Sequence, residues 1–288
     1  MRILALTAAA AVVLTMASAA GASGTASDGP GGAASWTTGN KVALGTSATT
    51  TSKVWFTVAK GITSEVFYPR ADVPNVQDMQ YVVTDGSTFV DLERDATNHA
   101  VSMPDEKSLE YMVTNTAKSG KYKITNTYVT DPAQNTLLVK TRFQSLDGGT
   151  YRLYLLENPS MAGGGANDSA SWDATNGALV ASGTETLFGS SLTAVSALEA
   201  SSGFLAHDDG FSGRPSDCYV DLSADKTLNN QFDTVSGTGN VVQCGQISVG
   251  SDTTFTVALG YGSSASSAVA AANASLASGF ASVESSYR

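Results

Sequence analysis

General acid–base chemistry of the kind that pairs a histidine with a carboxylate could use only His99 or His207 in this chain. A histidine paired with a carboxylate is a common general acid–base arrangement in enzymes. His99 follows Thr97-Asn98 in a polar stretch, and His207 opens the sequence His-Asp-Asp-Gly, which predicts a turn with Asp208 and Asp209 as loop acids. Either histidine could be catalytic, but both contexts are more typical of a solvated loop.

Three carboxylates form the next candidate site. Asp91, Glu93 and Asp95 alternate along the chain, so in a β-strand they would lie on one face. Like charges on one face repel one another unless water or a cation lies between them. Such oxygen ligands suit Ca²⁺, although no EF-hand loop is present. The alternative is an exposed face helped by Arg94. Calcium is therefore a weak candidate, and no other cofactor is expected.

Aromatic rings that can stack on sugars are the third informative group. Trp55 alternates within an apolar strand and is predicted to lie in the core, whereas Trp172 follows a Gly-rich break at 161–168. Trp172 is therefore the best candidate for an exposed ring and a weak sugar contact. The sequence contains no G-x-S-x-G nucleophile elbow, no phosphate-binding loop and no dinucleotide fingerprint.

The first residues predict export. Met1-Arg2 is followed by an apolar run from Ile3 to Met16 and then by Ala17-Ser18-Ala19, the pattern of a secretory signal peptide over 1–19. The run is shorter than the about 20 residues of a membrane-spanning helix, and no later stretch is long enough. Residues 20–34, rich in Gly, Ala and Ser, predict a flexible leader. We therefore expect a secreted, extracellular protein with no membrane segment after cleavage.

Cysteine number and net charge predict a disulfide and argue against zinc-binding and nucleic-acid-binding sites. Cys218 and Cys244 each lie in a strand-like run, and in an oxidising compartment a disulfide is favoured over two buried free thiols. Two Cys and two separated His give no zinc-site spacing. The net charge is 16 − 26 = −10 in 288 residues, with 15% charged residues. A nucleic-acid surface needs clustered Lys and Arg, so nucleic-acid binding is not expected.

The body of the chain reads as β-structure. Runs rich in Val, Thr, Phe and Tyr are separated by turn sequences, including Lys60-Gly61, Asp85-Gly86 and Asp147-Gly148. Asp-Gly tolerates the positive φ angles of a tight hairpin turn. Closely spaced strands with such turns indicate an antiparallel sandwich or barrel rather than alternating β and α elements. We predict an all-β fold, with one large two-sheet domain over 35–262.

The last residues predict a helix. Residues 263–288 are rich in Ala and Ser and contain no Pro. An apolar stripe on one helical face is formed by Val269, Leu276, Phe280, Val283 and Tyr287. This stripe could lie back on its own sandwich, or the helix could lead into or dock on another domain.

Several segments of the chain are distinctive. The clearest are 52–69 (SKVWFTVAKGITSEVFYP), 72–78 (DVPNVQD) and 81–95 (YVVTDGSTFVDLERD), and further ones are 36–46, 121–132, 216–222 and 255–262. With these segments the sequence resembles the N-terminal domain of bacterial glucoamylases and glucodextranases of glycoside hydrolase family 15. The resemblance extends over nearly the whole mature chain. It implies a large antiparallel β supersandwich, related in shape to galactose mutarotase, with a short C-terminal helix.

The resemblance also implies a functional context. In this family the domain precedes an α/α barrel that hydrolyses α-glucosidic bonds with inversion and carries the two catalytic glutamates. None of the acids of this chain matches them, so no catalytic residue is predicted. The expected partner is that barrel, or α-glucan itself. The expected partner-facing residues are Tyr68, Pro69, Asp72, Asn75, Asp78, Leu276, Phe280, Val283 and Tyr287.

Two other functions remain open from the sequence. One is a stand-alone carbohydrate-binding module. The other is an aldose epimerase of mutarotase type, which would use His99 or His207. If the barrel is absent, part of the helical stripe is expected to be exposed.

Overall fold

The structure, a computed structural model, describes residues 24–105, 107–187 and 189–288. The predicted signal peptide lies outside the described residues. The strands are β1 (Gly24–Ala26), β2 (Ala43–Thr46), β3 (Trp55–Ala59), β4 (Ile62–Phe67), β5 (Val76–Thr84), β6 (Val90–Leu92), β7 (Thr97–Ser102), β8 (Tyr111–Ala117), β9 (Tyr122–Thr130), β10 (Thr136–Ser145), β11 (Arg152–Pro159), β12 (Ser169–Asp173), β13 (Ala178–Leu187), β14 (Ser190–Ala200), β15 (Ala206–Phe211), β16 (Phe232–Val235), β17 (Val241–Ile247) and β18 (Asp252–Gly262). The helices are α1 (Glu93–Ala96), α2 (Cys218–Asp225), α3 (Ala265–Ser278) and α4 (Phe280–Tyr287), with a 3₁₀ turn at Met161–Gly163.

These strands form two large sheets. The ten-stranded sheet has the order β1-β16-β12-β13-β14-β18-β10-β9-β8-β7, and the eight-stranded sheet the order β15-β17-β11-β5-β4-β3-β2 with β6 paired to β5. The described pairs are antiparallel except β1 with β16, which is parallel. The predicted all-β fold of two antiparallel sheets is confirmed.

The main hydrophobic core lies between the sheets. Alternate residues of each strand point inward, which is why Leu153 and Leu155 of β11 belong to this core while Tyr154 and Leu156 pack on the outer face. The opposite sheet contributes inward residues such as Leu259 of β18. A core of this size holds the two sheets in fixed positions relative to each other.

The two best turn predictions have different outcomes. Lys60 and Gly61 alone separate β3 from β4, and both have positive φ angles of 52° and 79°. This is the tight two-residue hairpin turn that the sequence predicted. Gly86 also has a positive φ of 76°, but the loop is longer, because Asp85 accepts hydrogen bonds from the backbone of Ser87 and Thr88 instead of closing a tight turn.

The disulfide prediction is confirmed, but one of its flanking elements is not a strand. Cys218 and Cys244 are bonded, with their Cα atoms 6.3 Å apart. Cys244 lies in β17, whereas Cys218 begins helix α2, whose first turn is capped by the Asp217 side chain accepting from the backbone of Tyr219. The capping carboxylate satisfies free helical N–H groups, a local preference that outweighs the strand-like run. Helix α2 therefore covers the outer face of the eight-stranded sheet.

The C-terminal helix prediction is correct in type but not in continuity. Helices α3 and α4 are separated at Gly279, which has a φ of 76°. Helix α3 lies directly on the backbone of β18, because a Cβ on Gly260 would come within 2.5 Å of the Ala268 carbonyl oxygen. None of the described helices is long and apolar enough to cross a bilayer.

The expected flexible leader is wrong where the structure describes it. Strand β1 pairs with β16, and the Asp28 carboxylate accepts hydrogen bonds from the backbone and hydroxyl of Ser216 at 2.9 and 2.6 Å. Asn240 Nδ2 donates to the carbonyl of Gly32 at 3.1 Å. A Gly-, Ala- and Ser-rich segment is flexible only where no other part of the chain binds it. Here the residues that bind it lie about 200 positions further along the same chain. This segment forms a strap across one end of the sandwich.

Candidate functional site

A histidine–carboxylate pair on the described surface centres on His207. Its Nε2 lies 2.7 Å from Oδ1 of Asp233, and its ring stacks on Trp172 with centroids 4.1 Å apart and an interplanar angle of 11°. His207 lies in β15 of the eight-stranded sheet, whereas Trp172 and Asp233 lie in β12 and β16 of the other. The predicted turn at His207 is therefore wrong, because residues 206–211 pair with β17.

This cluster has the groups for proton transfer. An imidazole hydrogen-bonded to a carboxylate can accept or donate a proton at its other nitrogen. The side chains of His207 and Asp233 are 19% and 35% exposed, so solvent reaches the pair. Trp172 is half-buried, with His207 on one face and Phe204 nearby, and is therefore less open than the sequence predicted. The sequence contains no spacing that connects Asp233 with His207, so Asp233 was missed.

His99 lies elsewhere. It is an exposed residue of β7, the edge strand of the ten-stranded sheet opposite to β1. Its backbone neighbour across the ladder is Asn115 of β8, and no carboxylate contact of His99 is found among the described residues. The two histidines therefore do not form one site.

The predicted calcium ligands do not converge. Glu93 is buried in α1 and accepts hydrogen bonds from the backbone N–H of Tyr81 at 2.9 Å and from Asn115 Nδ2 at 2.6 Å. Asp91 accepts from the Tyr122 hydroxyl, and Asp95 pairs with Arg94. The alternation fails because β6 ends at Leu92 and a helical turn follows. Within the described ranges, no three His, Cys, Asp or Glu side chains are placed to hold a metal.

Several carboxyls are buried inside the sandwich instead. Asp208 and Asp209, predicted as loop acids, are buried in strand β15, so that prediction is wrong. Asp209 accepts from Gln243 Nε2 at 2.6 Å, and Asp208 accepts from the backbone of Phe232 at 3.0 Å. Glu157 of β11 accepts no hydrogen bond from any described residue, and burial raises its pKa to about 8. These acids are neutral or internally bonded and are closed to substrates.

A comparison with known protein families gives the identity. The family model described as "Glucodextranase, domain N" matches residues 26–288. The chain belongs to this family. Its match begins within the strap, at the last residue of β1, which agrees with the strap being part of the folded domain.

Relatives of this glucodextranase N domain are glucoamylases. A glucoamylase of Clostridium sp. (strain G0005) is 32% identical over 263 residues, which cover 90% of this chain and 36% of that protein. A bacterial glucoamylase solved in complex with acarbose superposes with a TM-score of 0.81 at 29% identity, covering 91% of this chain and 38% of the other. This chain thus spans little more than a third of each relative.

The loop expected to face a partner is largely internal in this N domain. Asn75 is buried, and its side chain donates to the carbonyls of Tyr68 and Val73 at 2.7 and 3.0 Å and accepts from the backbone of Ala162 at 2.8 Å. Asp78 is buried in β5 and accepts from Asn158. Asn75 and Asp78 are therefore not open to a partner, because Asn75 is buried and β5 begins at Val76.

The helical stripe of the N domain packs on its own sheet. Phe280, Val283 and Tyr287 are 8%, 4% and 7% exposed, and they contact Val129 and Leu138 of the ten-stranded sheet, with Leu276 half-buried beside them. Val269 packs separately, on the β13–β14 part of the same sheet. The expectation that part of the stripe is exposed without a barrel is wrong. The apolar outer face of this sheet needs a cover, and α3 and α4 supply it.

Proposed function

We propose that this chain is the non-catalytic N-terminal domain of a secreted α-glucan hydrolase of glucoamylase or glucodextranase type, and that it packs against the catalytic α/α barrel. The observation that carries the proposal is the family match over nearly the whole chain, combined with coverage of only 36% of a glucoamylase. The remaining length in such a relative is sufficient for a separate catalytic domain. Acting on α-glucan is a property of that whole assembly.

The positions of the acids support a non-catalytic role. An inverting glycosidase needs two carboxyls about 6.5–9.5 Å apart with room for a water molecule between them. Glu157 and Asp209 are fully buried between the sheets, and Glu93 is tied to backbone and amide donors. A glucan chain has no access to these groups.

Two surfaces are candidates for the barrel contact, since the helical stripe is occupied. One is the loop of Tyr68, Pro69 and Asp72, in which Tyr68 is half-buried on the core and Asp72 pairs with Arg70 at the surface. The other is the β2 edge patch, which we define as Val42, Leu44 and Leu109, with exposed fractions of 47%, 53% and 38%. This patch lies beside the C-terminal helix, since the Leu109 carbonyl accepts from the Tyr287 hydroxyl. Exposed apolar side chains of this kind are typical of contact surfaces.

Mixing experiments test the packing. The chain would be titrated into a separately produced α/α barrel from a family relative, and complex formation followed by calorimetry and size-exclusion chromatography. We expect a one-to-one complex, weakened by Leu44→Asp if the β2 edge patch is used or by Asp72→Lys if the loop is used, and unaffected by Val220→Asp on α2. Glucose release from starch should require the barrel. Absence of a complex at high concentration, or glucose release by this chain alone, contradicts the proposal.

Export is tested at the N-terminus. The proposal requires cleavage near Ala19 and recovery of the protein outside the cell. Mass spectrometry of protein from the medium should give a chain that begins near residue 20. An intact N-terminus on cell-retained protein contradicts secretion.

The His207–Asp233 pair favours a second candidate, an aldose epimerase. Its half-exposed imidazole and carboxylate are the groups that proton transfer at a sugar's anomeric centre requires. The rate at which α-glucose converts to β-glucose would be measured by polarimetry. His207→Ala should abolish any acceleration, and His99→Ala is the matched control. A rate equal to that of buffer eliminates this candidate.

A further inference from the structure

A cleft of about 230 Å³ lies at the edge of the ten-stranded sheet where the strap meets β16 and the loop before α2. Its lining includes Thr25, Ser27 and Asp28 of the strap together with Ser216, Asn230 and Phe232. We propose that this cleft binds a neutral saccharide, one hexose unit of an α-glucan. The inference rests on the proposed function for the choice of sugar, but the lining shares no residue with the proposed barrel contacts or with the His207–Asp233 pair.

The charge of the cleft selects against anionic ligands. Its lining contains no Lys, Arg or His. Asp28 is the charged side chain of the lining. Phosphorylated or carboxylated ligands would meet this carboxylate and no cationic side chain in the lining. A divalent cation is also disfavoured, because no three acids converge anywhere in the described ranges.

The polar groups in the cleft match sugar hydroxyls. The hydroxyls of Thr25 and Ser27 form no hydrogen bond with another described residue and can donate or accept. Asn230 donates from Nδ2 to the Pro215 carbonyl at 2.7 Å, which leaves its amide oxygen as an acceptor. The carboxylate oxygens of Asp28 each accept one hydrogen bond from Ser216 and retain further lone pairs. The lining therefore offers both donors and acceptors to a sugar.

The cleft also has an apolar wall and a rigid frame. Phe232 is half-buried, packs on the small cluster that contains Ala26 and Phe211, and lines the cleft with its remaining surface. A phenyl ring beside a few fixed polar groups is the usual composition of a small-ligand site. Asp28 and Asn230 are both held by hydrogen bonds, so these side chains lose little conformational freedom when a ligand binds. The volume lies below the ~300–1,000 Å³ of pockets for drug-sized ligands, which suits one ring.

The experiment uses the full chain and maltoheptaose as the probe. Binding would be measured by calorimetry and by retardation in gels that contain soluble starch. We expect saturable binding, weakened about fivefold by Phe232→Leu, which keeps apolar packing but removes the ring, and about fivefold by Thr25→Val, which removes only a hydroxyl. Leu146→Ala, at an exposed position outside the cleft lining, is the control and should leave the affinity unchanged. Trp172→Phe tests the rival sugar contact beside His207. Each variant's melting temperature would be compared with that of the parent chain to verify folding.

The outcomes separate this inference from the proposed function. Absence of saturable binding, unchanged affinity in both cleft variants, or loss of binding in Trp172→Phe alone overturns the saccharide cleft. A chain that binds a family barrel but no sugar contradicts the cleft and leaves the packing proposal intact. A chain that binds maltoheptaose through Phe232 but no barrel supports the cleft and contradicts the packing.

Discussion

The Tyr287 hydroxyl donates to the carbonyl oxygen of Leu109 at 2.8 Å, a contact between residues 178 positions apart. Together with the pairing of Arg288 and Glu110, it fixes the end of α4 to the loop before β8. The C-terminal helices are therefore an integral layer of the domain. A partner would therefore meet these helices as part of the folded domain and not as a free segment.

Truncation of Phe280 should destabilise the domain. The ring is buried on Val129 and Leu138 and lies under the Lys140 ammonium group, which is 4.3 Å from the ring centroid. Phe280→Ala is expected to lower the free energy of unfolding by about 3 kcal/mol, and Tyr287→Phe by about 1 kcal/mol through its lost hydrogen bond. Urea denaturation gives both values. Equal stability of Phe280→Ala and the parent chain would contradict the packing.

Amide hydrogen exchange should show α4 to be protected. Because its apolar side is covered by the sheet, its amides should exchange on a timescale closer to that of β9 and β10 than to that of exposed loops. The loop tip around Asp72 is the internal reference for fast exchange, as both members of its ion pair are exposed. Fast exchange throughout 280–287 in the isolated chain would contradict this packing. It would favour a helix that is covered only when a partner domain binds.

The free energy of unfolding should decrease as the pH rises from about 4 to about 8. Burial raises the pKa of Glu157 and Asp208 to about 8 and that of Asp168 and Asp209 to about 7, above the ~4 of an unfolded chain. The folded state therefore holds more protons than the unfolded state within this window. The stability that these acids contribute is fully present below their pKa in the unfolded chain. It is lost as the pH rises towards their pKa in the folded state.

Substitution of Glu157 isolates one part of this effect. Glu157→Gln keeps the shape of the neutral acid and cannot ionise, so the pH dependence should flatten by roughly 3 kcal/mol between about pH 5 and about pH 8. Denaturation curves at several pH values measure this. Asp72→Asn, at an exposed position, should keep the parent slope. A stability that increases from pH 5 to pH 8 would contradict the burial of these acids.

Loss of the disulfide should loosen α2 without unfolding the sandwich. The bond closes a loop with a sequence separation of 26 residues, for which the chain-entropy estimate is about 3.5 kcal/mol. A Cys218→Ala/Cys244→Ala double variant should lose about that amount and show faster exchange in 218–225 only. Non-reducing mass spectrometry should show the linkage in the parent chain. Two freely alkylated thiols would rule it out.

Asn75 should tolerate no charge. Its side-chain nitrogen donates to two backbone carbonyls, so Asn75→Asp would place a carboxylate against the carbonyl oxygens of Tyr68 and Val73. The free energy of unfolding is expected to fall by about 3 kcal/mol, because both carbonyls lose their hydrogen-bond donor and face a buried carboxylate. Asn40→Asp on the exposed surface is the control. Similar melting temperatures for the two variants would contradict the anchoring role.

The sequence predicts local features of this fold well. The Lys60-Gly61 turn and the apolar stripe of the last helices depend on residues that are close in the sequence. The disulfide follows from the presence of two cysteines in a protein expected to be exported. The position of β15 depends on residues far away in the chain. Residues 207–209 are polar and resemble a turn, yet they form a buried strand because Gln243 and the backbone of Phe232 supply donors to Asp209 and Asp208. Such donors come from later strands and cannot be read from local pattern.

The candidate site was predictable only in its components. Trp172 and His207 were each selected by residue type, but their stacking depends on how the edges of two sheets meet. Asp233 carries no local signal, and the saccharide cleft depends on a strap that composition alone assigns to a flexible leader. Long-range pairing decides these features, and the sequence-level rules of period and turn chemistry do not contain it.

The parallel pairing of β1 with β16 joins residues that are far apart in the chain. Gly24 aligns with Phe232, so the first described strand has no ladder partner until residues about 200 positions later are in place. Closing so long a loop costs entropy that a preformed sheet edge can offset. We therefore expect β1 to join this edge late in folding and to complete the cleft beside it in the same step.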